Sequence, residues 1–421
     1  MRMLLVSWPV LLVACTPADP PAAGERDATT GSPGEDAHLP EDSPDGTTAP
    51  DARLADAGEP ADLGGPAGDG GRDQGPDDAG HAAPELGLPD GGPDRCEAPT
   101  PFVAPSDPTG WRHDTTRLLT VTQGAPNHRA QDVIVPTGRP QLIVGKFAYG
   151  PFDKDLEDEE VEVFVQQRPP CGEWISLGVQ LTSRDGQYGD QYGLADDGGR
   201  IFFTLPDAQA RPVGHHPLRL LVRGDGSLAT ATLTVLPAGT STVVFDIDGT
   251  LTTRDFELIR ELFTELLQGR YVPEMREGAP DVVWDWVARG YLVVYLSGRP
   301  DLLHRQTRLW LQEEGFPPGP LHLTDTNAQA LPTRAGVGQY KIDFLRKIEE
   351  EGLVTLAAAY GNATTDIFAY AGAGIPLATT FIVGEHAGEE GTTPIAGYPE
   401  HLPEAAALPA ATVAAPPAGD W

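Results

Sequence analysis

Between residues 101 and 237 the apolar positions fall in short runs, several alternating with polar ones: Gln141-Leu142-Ile143-Val144, Val161-Glu162-Val163-Phe164-Val165, Ile201-Phe202-Phe203-Thr204, Leu218-Arg219-Leu220-Leu221-Val222 and Ala231-Thr232-Leu233-Thr234-Val235. A period of two puts successive side chains on opposite faces of a strand. Asp185-Gly186, Asp197-Gly198-Gly199 and Asp225-Gly226 are turn signals between such runs. Without a convincing helical period among them, these strands predict an antiparallel, Ig-like β-sandwich over 96–238. At Ser241 the texture changes. Runs such as Thr242-Val243-Val244-Phe245 and Tyr291-Leu292-Val293-Val294-Tyr295-Leu296 alternate with helix-length segments, which predicts an α/β Rossmannoid domain with a parallel sheet over 239–405. Residues 406–421 are expected to be a flexible tail.

The N-terminus has a different pattern. Arg2 precedes an apolar run from Leu4 to Val13, and Ala14-Cys15 follows. The run is too short for a membrane span of about 20 residues and reads as a signal peptide. Leu12-Val13-Ala14-Cys15 resembles a bacterial lipobox, which implies a diacylglyceryl anchor on Cys15; plain secretion is the alternative. The expected product is an exported bacterial lipoprotein, membrane-anchored at the outer membrane or cell surface, on the periplasmic or extracellular face. Residues 16–95 are dominated by Asp, Pro, Gly and Ala and contain no aromatic side chain. Such a segment cannot bury enough apolar surface to offset the entropy of ordering and is expected as a disordered tether. Its reach would be roughly 50 Å r.m.s..

Composition narrows the function further. The chain carries 62 Asp and Glu against 29 Lys and Arg, a net charge of -33, so no nucleic-acid partner is expected. Cys96 and Cys171 are the cysteines besides Cys15. Outside the cytoplasm they are expected to pair, closing a loop whose entropy would contribute about 4 kcal/mol; two buried thiols are the alternative. The first domain shows no catalytic constellation. His215-His216 reads as a loop pair rather than a metal site, and the acidic run from Asp153 to Glu160 as a solvated loop rather than a Ca²⁺ site.

The second domain carries chemistry. Its first strand runs directly into Asp246-Ile247-Asp248-Gly249-Thr250. In open α/β sheets ligands sit beyond the carboxyl ends of the strands, and two carboxylates two residues apart on extended chain face one pocket. One can attack phosphorus while the other handles a proton, with Mg²⁺ offsetting the repulsion. The second strand ends at Ser297-Gly298-Arg299-Pro300, Lys341 follows, and Ala357-Ala358-Ala359-Tyr360 leads to Gly361-Asn362-Ala363-Thr364-Thr365-Asp366. The chain has only four lysines, at 146, 154, 341 and 347, so Lys341 at this station is not a compositional accident. Each residue also has a plainer reading: turn residues for Asp246 and Asp248, a helix N-cap for Ser297, a surface lysine for Lys341, an N-cap or turn for Asp366. Their order on one α/β pattern favours a site.

This order resembles the haloacid dehalogenase superfamily, whose phosphatases carry Asp-x-Asp-x-Thr after the first strand. The resemblance implies Asp246 as nucleophile and Asp248 as general acid and base. It places Thr250, Ser297, Gly298 and Lys341 on the phosphate, and Mg²⁺ on Asp246, Asp248, Asn362 and Asp366. Asn362 stands where many relatives have Asp, which lowers the charge on a metal. A closer resemblance, carried by residues 290–300, 315–321 and 359–376, is to the catalytic domain of lipins, which are Mg²⁺-dependent phosphatidate phosphatases. It extends equally to the C-terminal domain of the Nir-type membrane-associated phosphatidylinositol transfer proteins. Asn127-His128-Arg129, Val144 through Pro151, and Gly172-Glu173-Trp174 extend it upstream, so that it covers roughly 110–400.

The two relatives imply different functions. Nir-type domains lack the aspartates and bind phosphatidic acid, whereas lipins keep them and hydrolyse it. The complete Asp246 to Thr250 motif sides with an Mg²⁺-dependent phosphatase acting on phosphatidic acid through an aspartyl-phosphate. The alternatives are a non-catalytic phosphatidic-acid-binding module and a phosphatase for another exported substrate. No lipid-transfer domain is expected in the remainder of the chain. Only about 47 residues separate Thr250 from Ser297 and about 40 separate Arg299 from Lys341, too few for a large cap domain, which predicts an open site. The helical stripe Phe256, Ile259, Leu262, Phe263, Leu266 and Leu267 is read as core, with contact to acyl chains as the alternative.

Overall fold

The computed structural model describes residues 99–254, 272–326, 329–351 and 353–419. The segments expected as signal peptide and tether, with Cys15 and Cys96, and the stripe from Phe256 to Leu267 lie outside them. Cys171 is disulfide-bonded.

Ten strands build the first domain: β1 (Arg129–Ala130), β2 (Val133–Pro136), β3 (Leu142–Lys146), β4 (Ala148–Tyr149), β5 (Lys154–Asp155), β6 (Glu160–Gln166), β7 (Trp174–Leu181), β8 (Arg200–Thr204), β9 (Gly214–Val222) and β10 (Leu228–Leu236). A five-stranded sheet, β2-β10-β9-β6-β7, faces the three-stranded β1-β3-β8, and β4 and β5 form a separate hairpin. The alternation in β9 puts Leu218, Leu220 and Val222 on the inner face with Val161, Val163, Val165, Leu233 and Val235. Pairing is antiparallel, as expected, except at the edge, where β2 lies parallel to β10. After β2 the chain turns at Gly138 (φ 82°) and crosses to the other sheet instead of folding back on the same one. The helix α1 (Asp114–Leu119) precedes the strands.

Two readings of this domain need correction. The acidic run is not a solvated loop. Asp153 pairs with Arg129, Asp155 with Lys146 and Asp158 with Arg112, while Glu159 is buried and accepts from the Arg112 and His113 main chain and the Thr116 hydroxyl. A chain with this excess of acid uses its few cations here. His215 and His216 lie on β9, not in a loop, and their side chains bond Thr234 Oγ1 and the Pro212 carbonyl.

The second domain alternates β11 (Thr240–Phe245), α2 (Ala279–Ala288), β12 (Leu292–Pro300), α3 (His304–Glu313), β13 (Leu321–Thr324), α4 (Gln339–Glu350), β14 (Val354–Gly361), α5 (Thr364–Gly372), β15 (Thr380–Val383), β16 (Thr393–Ile395) and α6 (Tyr398–Ala406). The sheet order is β13-β12-β11-β14-β15-β16, parallel throughout. Strands after β11 are added first on one side of it and then on the other. This reversal opens a crevice at the carboxyl end of β11, where Asp246 and Asp248 follow. Beneath them Phe245 stacks on Tyr360 at 4.4 Å, and the Trp286 indole donates to the Tyr360 hydroxyl at 2.9 Å. The floor of the crevice is therefore packed aromatic core.

The two domains share a buried polar seam. Asp132, fully buried beside β2, accepts from the Thr232 N–H of its own sheet, from the Leu321 N–H of β13 and from Arg308 of α3. Burial pushes this carboxyl up, and Arg308 with the two N–H donors more than reverses that, leaving it below the ordinary carboxylate range. Next to it, Arg129 reaches Asp301 at 2.7 Å. Residues 407–419, expected as a flexible tail, instead run back along the fold. Ala411 and Ala415 donate to the Arg289 and Gly290 carbonyls, and Ser241 bonds Thr412 and Val413. Gly290 makes room for this strap, since a Cβ there would lie 3.3 Å from Ala414.

Candidate functional site

The crevice brings most of the expected residues together, each at the end of a strand or the start of a helix. Asp246 leaves β11, with its N–H donating to the Tyr360 carbonyl at 3.0 Å. Its Oδ1 lies 2.6 Å from Lys341 Nζ, and its Oδ2 accepts from the Thr250 hydroxyl at 2.9 Å. Lys341, on the buried face of α4, also reaches Asp366 Oδ1 at 2.7 Å. Asp366 is the third residue of α5 and its Oδ2 accepts from the Asn362 and Ala363 N–H groups, both at 3.0 Å. It therefore caps the helix and pairs with the lysine at once. Gly361 permits this approach, because a Cβ there would lie 2.6 Å from Asp366 Cβ.

Burial pushes the Asp246 carboxyl up to about 7; Lys341 pulls it down, while Asp366 and Asp248 push it further up. For Lys341 burial is the opposing effect, and the two carboxylates overcome it to hold the ammonium above its ordinary range. The direction follows from geometry, since one cation sits between two carboxylates.

Asp248 belongs to a second cluster. The fully buried Arg299 donates from Nε to both its oxygens, at 3.0 and 2.9 Å, and from Nη2 to Oδ1 at 2.6 Å. Ser297 Oγ adds a bond to Oδ2 at 3.2 Å, and Thr307 of α3 receives Arg299 Nη1 at 3.1 Å. Both oxygens of Asp248 thus act as acceptors. Gly298, expected as a phosphate contact, is fixed by packing, since a Cβ there would meet Val337 at 2.8 Å. Gly249 (φ 75°) makes the turn after the aspartates, and its carbonyl accepts from Arg276 at 3.0 Å.

Reading the sequence missed Arg299 as a site residue, although it stands within the quoted Ser297 to Pro300 segment. An arginine three residues beyond the apolar run that ends at Leu296, still within β12, was the available signal. Also missed were the two tyrosines behind the aspartates: Tyr398 donates to the Thr250 carbonyl at 3.1 Å and Tyr370 to the Tyr360 carbonyl at 2.8 Å. Asp246 and Asp248 are 5% and 6% exposed, and Ser297, Thr250, Lys341 and Asp366 are buried, so the site lies on the floor of the crevice. A cavity of about 160 Å³ between Tyr192, His322 and Lys347 lies at the domain seam, apart from the aspartates.

Among the described residues no three His, Cys, Asp or Glu side chains converge as a metal-binding group. The donors that remain are Asp246 Oδ2 and Asn362 Oδ1, which share the Thr250 hydroxyl at 2.9 and 3.1 Å, and the main-chain carbonyl of Asp248. These are hard oxygen donors of the kind Mg²⁺ takes, with one negative charge among them. The donor set is of a chemical kind that would suit Mg²⁺.

A reversed parallel sheet with two aspartates at its first strand, a serine at its second, and a lysine held by a further aspartate defines a haloacid-dehalogenase-like α/β domain behind a β-sandwich. Residues 126–235 match the beta-sandwich domain of PITM 1-3, and residues 243–384 match the LNS2 domain of PITM 1-3. The two folded domains are therefore similar to two domains of the membrane-associated phosphatidylinositol transfer proteins. The chain is 34% identical over 290 residues to membrane-associated phosphatidylinositol transfer protein 1 of Rattus norvegicus, covering 69% of this chain and 21% of that protein. It is 36% identical over 259 residues to membrane-associated phosphatidylinositol transfer protein 3 of Homo sapiens, covering 61% and 23%. Protein retinal degeneration B of Drosophila melanogaster is 34% identical over 262 residues, covering 62% and 18%. The chain thus spans about a fifth of the length of these curated relatives.

Proposed function

We propose that the LNS2 domain binds the phosphomonoester headgroup of a membrane phospholipid, with phosphatidic acid as the preferred ligand. The observation that carries this reading is the state of Asp248. Hydrolysis assigns it proton transfer, yet both its oxygens accept hydrogen bonds from Arg299 and Ser297, a geometry that fixes the side chain in place rather than directing it at a leaving alcohol. Holding a phosphate needs less. The Ser297 and Thr250 hydroxyls, which bond Asp248 and Asp246 in the structure, would turn to its oxygens beside Lys341 and the main-chain N–H groups near Gly298. Three carboxylates, Asp246, Asp248 and Asp366, outnumber the two cations Lys341 and Arg299, and this excess would repel a phosphate dianion. Mg²⁺ held by Asp246, Asn362 and the Asp248 carbonyl would reverse the sign of the pocket. An acyl anchor on Cys15 would raise the local lipid concentration.

A second reading rests on the complete Asp246-Ile247-Asp248-Gly249-Thr250 motif: Mg²⁺-dependent hydrolysis through an aspartyl-phosphate on Asp246, on phosphatidic acid or another exported phosphomonoester. Vesicle binding and phosphate release, measured together on the full chain and on Asp246→Asn, separate the two. The vesicles are phosphatidylcholine with and without phosphatidic acid, in Mg²⁺ and in EDTA. Phosphatidate-dependent binding by both proteins without phosphate release is the expected outcome. Mg²⁺-dependent release that Asp246→Asn abolishes would replace binding with hydrolysis.

A further inference from the structure

The hairpin β4 to β5 stands beside the phosphate loop, and its tip has the composition of a membrane contact. Phe152 at the tip is 83% exposed, the most exposed large apolar side chain among the described residues. A lone exposed phenylalanine has no significance by itself; three further observations give this one its meaning.

The hairpin is rigid. Gly150 donates to the Ala125 carbonyl at 2.9 Å, the Asn127 side chain donates to the Gly150 carbonyl at 2.6 Å, and Asp153 closes the turn onto Gly150 at 3.1 Å. Gly150 (φ 75°) is required, because a Cβ would lie 2.3 Å from the Gln123 carbonyl oxygen. Phe152 is thus held outward on a fixed frame and has not simply failed to pack.

Its position is tied to the site. Arg129, with only a tenth of its side chain exposed, grips Asp153 with both terminal nitrogens at 2.9 and 2.7 Å and turns its Nε to Asp301 at 2.7 Å. Asp301 directly follows the Ser297 to Pro300 segment. One guanidinium therefore couples the tip of the hairpin to the phosphate loop.

The charge is also suitable. Both acids of the hairpin are paired with a cation, Asp153 with Arg129 and Asp155 with Lys146 at 2.7 Å, each cation also meeting a second carboxylate, Asp301 and Asp197. Lys154, exposed and two residues from Phe152, forms no ion pair with another described residue. In a chain with four lysines and a net charge of -33, an apolar and a basic side chain together at an exposed tip suit an anionic lipid surface. Leu118 and Leu119, 69% and 59% exposed, lie on the helix that leads into the Gln123 contact beneath the hairpin.

We infer that the β4 to β5 hairpin of the sandwich is a membrane-docking finger: Phe152 enters the acyl boundary, Lys154 meets anionic headgroups, and Arg129 holds both in register with the phosphate loop. A headgroup still attached to its lipid can reach the pocket only if the rim touches the bilayer, so this inference rests on the phospholipid reading. It also gives the sandwich a function that its lack of catalytic groups leaves open.

The test uses the full chain with Cys15→Ser, which removes the acylation site, in flotation with vesicles of phosphatidylcholine and phosphatidic acid. Calorimetric titration with glycerol 3-phosphate runs in parallel. Phe152→Ala is expected to weaken vesicle binding about tenfold, the loss of one buried aromatic contact. Phe152→Trp should keep wild-type binding, and Lys154→Glu should weaken it more at low than at high salt. None of the three should alter glycerol 3-phosphate affinity. Vesicle binding unchanged by Phe152→Ala, or absent in the Cys15→Ser chain itself, would overturn the finger. Vesicle binding that depends on Phe152 without glycerol 3-phosphate binding would sink the headgroup reading alone.

Discussion

Two buried charge clusters, one in the crevice and one at the domain seam, are built alike. In the crevice Lys341 sits between Asp246 and Asp366, at 2.6 and 2.7 Å. At the seam Asp132 takes Arg308 and two main-chain N–H groups from both domains. Each has a charged group at its centre, satisfied on all sides, which is the condition for burying one without a large penalty. They differ in what they join. The crevice cluster links the end of β11 to helices α4 and α5 of one domain; the seam cluster welds a sandwich to a neighbouring domain and holds the crevice from outside, since Arg308 adjoins Thr307, which bonds Arg299, which grips Asp248.

The sharpest way to break this comparison is at its structural member. Asp132→Ala would remove the buried carboxylate that pairs with Arg308 and leave two N–H donors unsatisfied. The expected cost is about 3–5 kcal/mol of stability, read from the shift of the urea unfolding midpoint. A loss below about 1 kcal/mol would mean that the domains do not depend on the seam.

The same contrast explains what could be read from the sequence. Sequence distance is not what hid the seam. Lys341 and Asp246 are 95 residues apart and were paired by their stations, whereas Asp132 and Arg308, 176 apart, were not. The crevice residues follow apolar strands in a fixed chemical order, so residue type and position together identify them. Gln131-Asp132 before Val133 looks like any polar residue entering a strand, and nothing local marks it as buried. Strands β3, β6, β8, β9 and β10 were legible because each alternates or is wholly apolar. β7 was not, because its burial is shallow, with Leu177 its one buried residue. The tail was misread for a related reason: Ala and Pro carry no periodic signal, and the strap is held mainly by main-chain bonds that any sequence can make.

A finer test asks how far the crevice depends on geometry and how far on charge. Arg299→Lys keeps the charge beside Asp248 and loses the planar fork that makes three bonds to it and one to Thr307. Lysine cannot reproduce bidentate geometry. The expected cost is about 2 kcal/mol, measured by thermal unfolding and smaller than that of Asp132→Ala because the charge beside Asp248 is kept. Equal losses from the two substitutions would mean that charge matters no more at the seam than shape does in the crevice.

A last effect concerns the pH response of the seam. Burial lowers the His322 pKa from an ordinary 6.5 to about 3, and that of His304 to about 4. Each stays neutral in the folded protein over a range where the unfolded chain takes up a proton. The stability gained is complete above about pH 6.5 and is lost as pH falls from there towards the folded value. Asp325, which burial and Asp301 push up to about 7, acts oppositely, since the folded state resists ionising it as pH rises from its ordinary 3.8. Absolute stability therefore mixes the two, and the difference between proteins isolates the histidine. His322→Phe should flatten the fall in unfolding free energy between pH 6 and 4 by about 1.4 kcal/mol per pH unit, the value of one proton. Urea titrations of both proteins at intervals across that range measure it. An unchanged slope would mean that His322 takes up its proton in the folded protein too, and the seam would then tolerate charge as the crevice does.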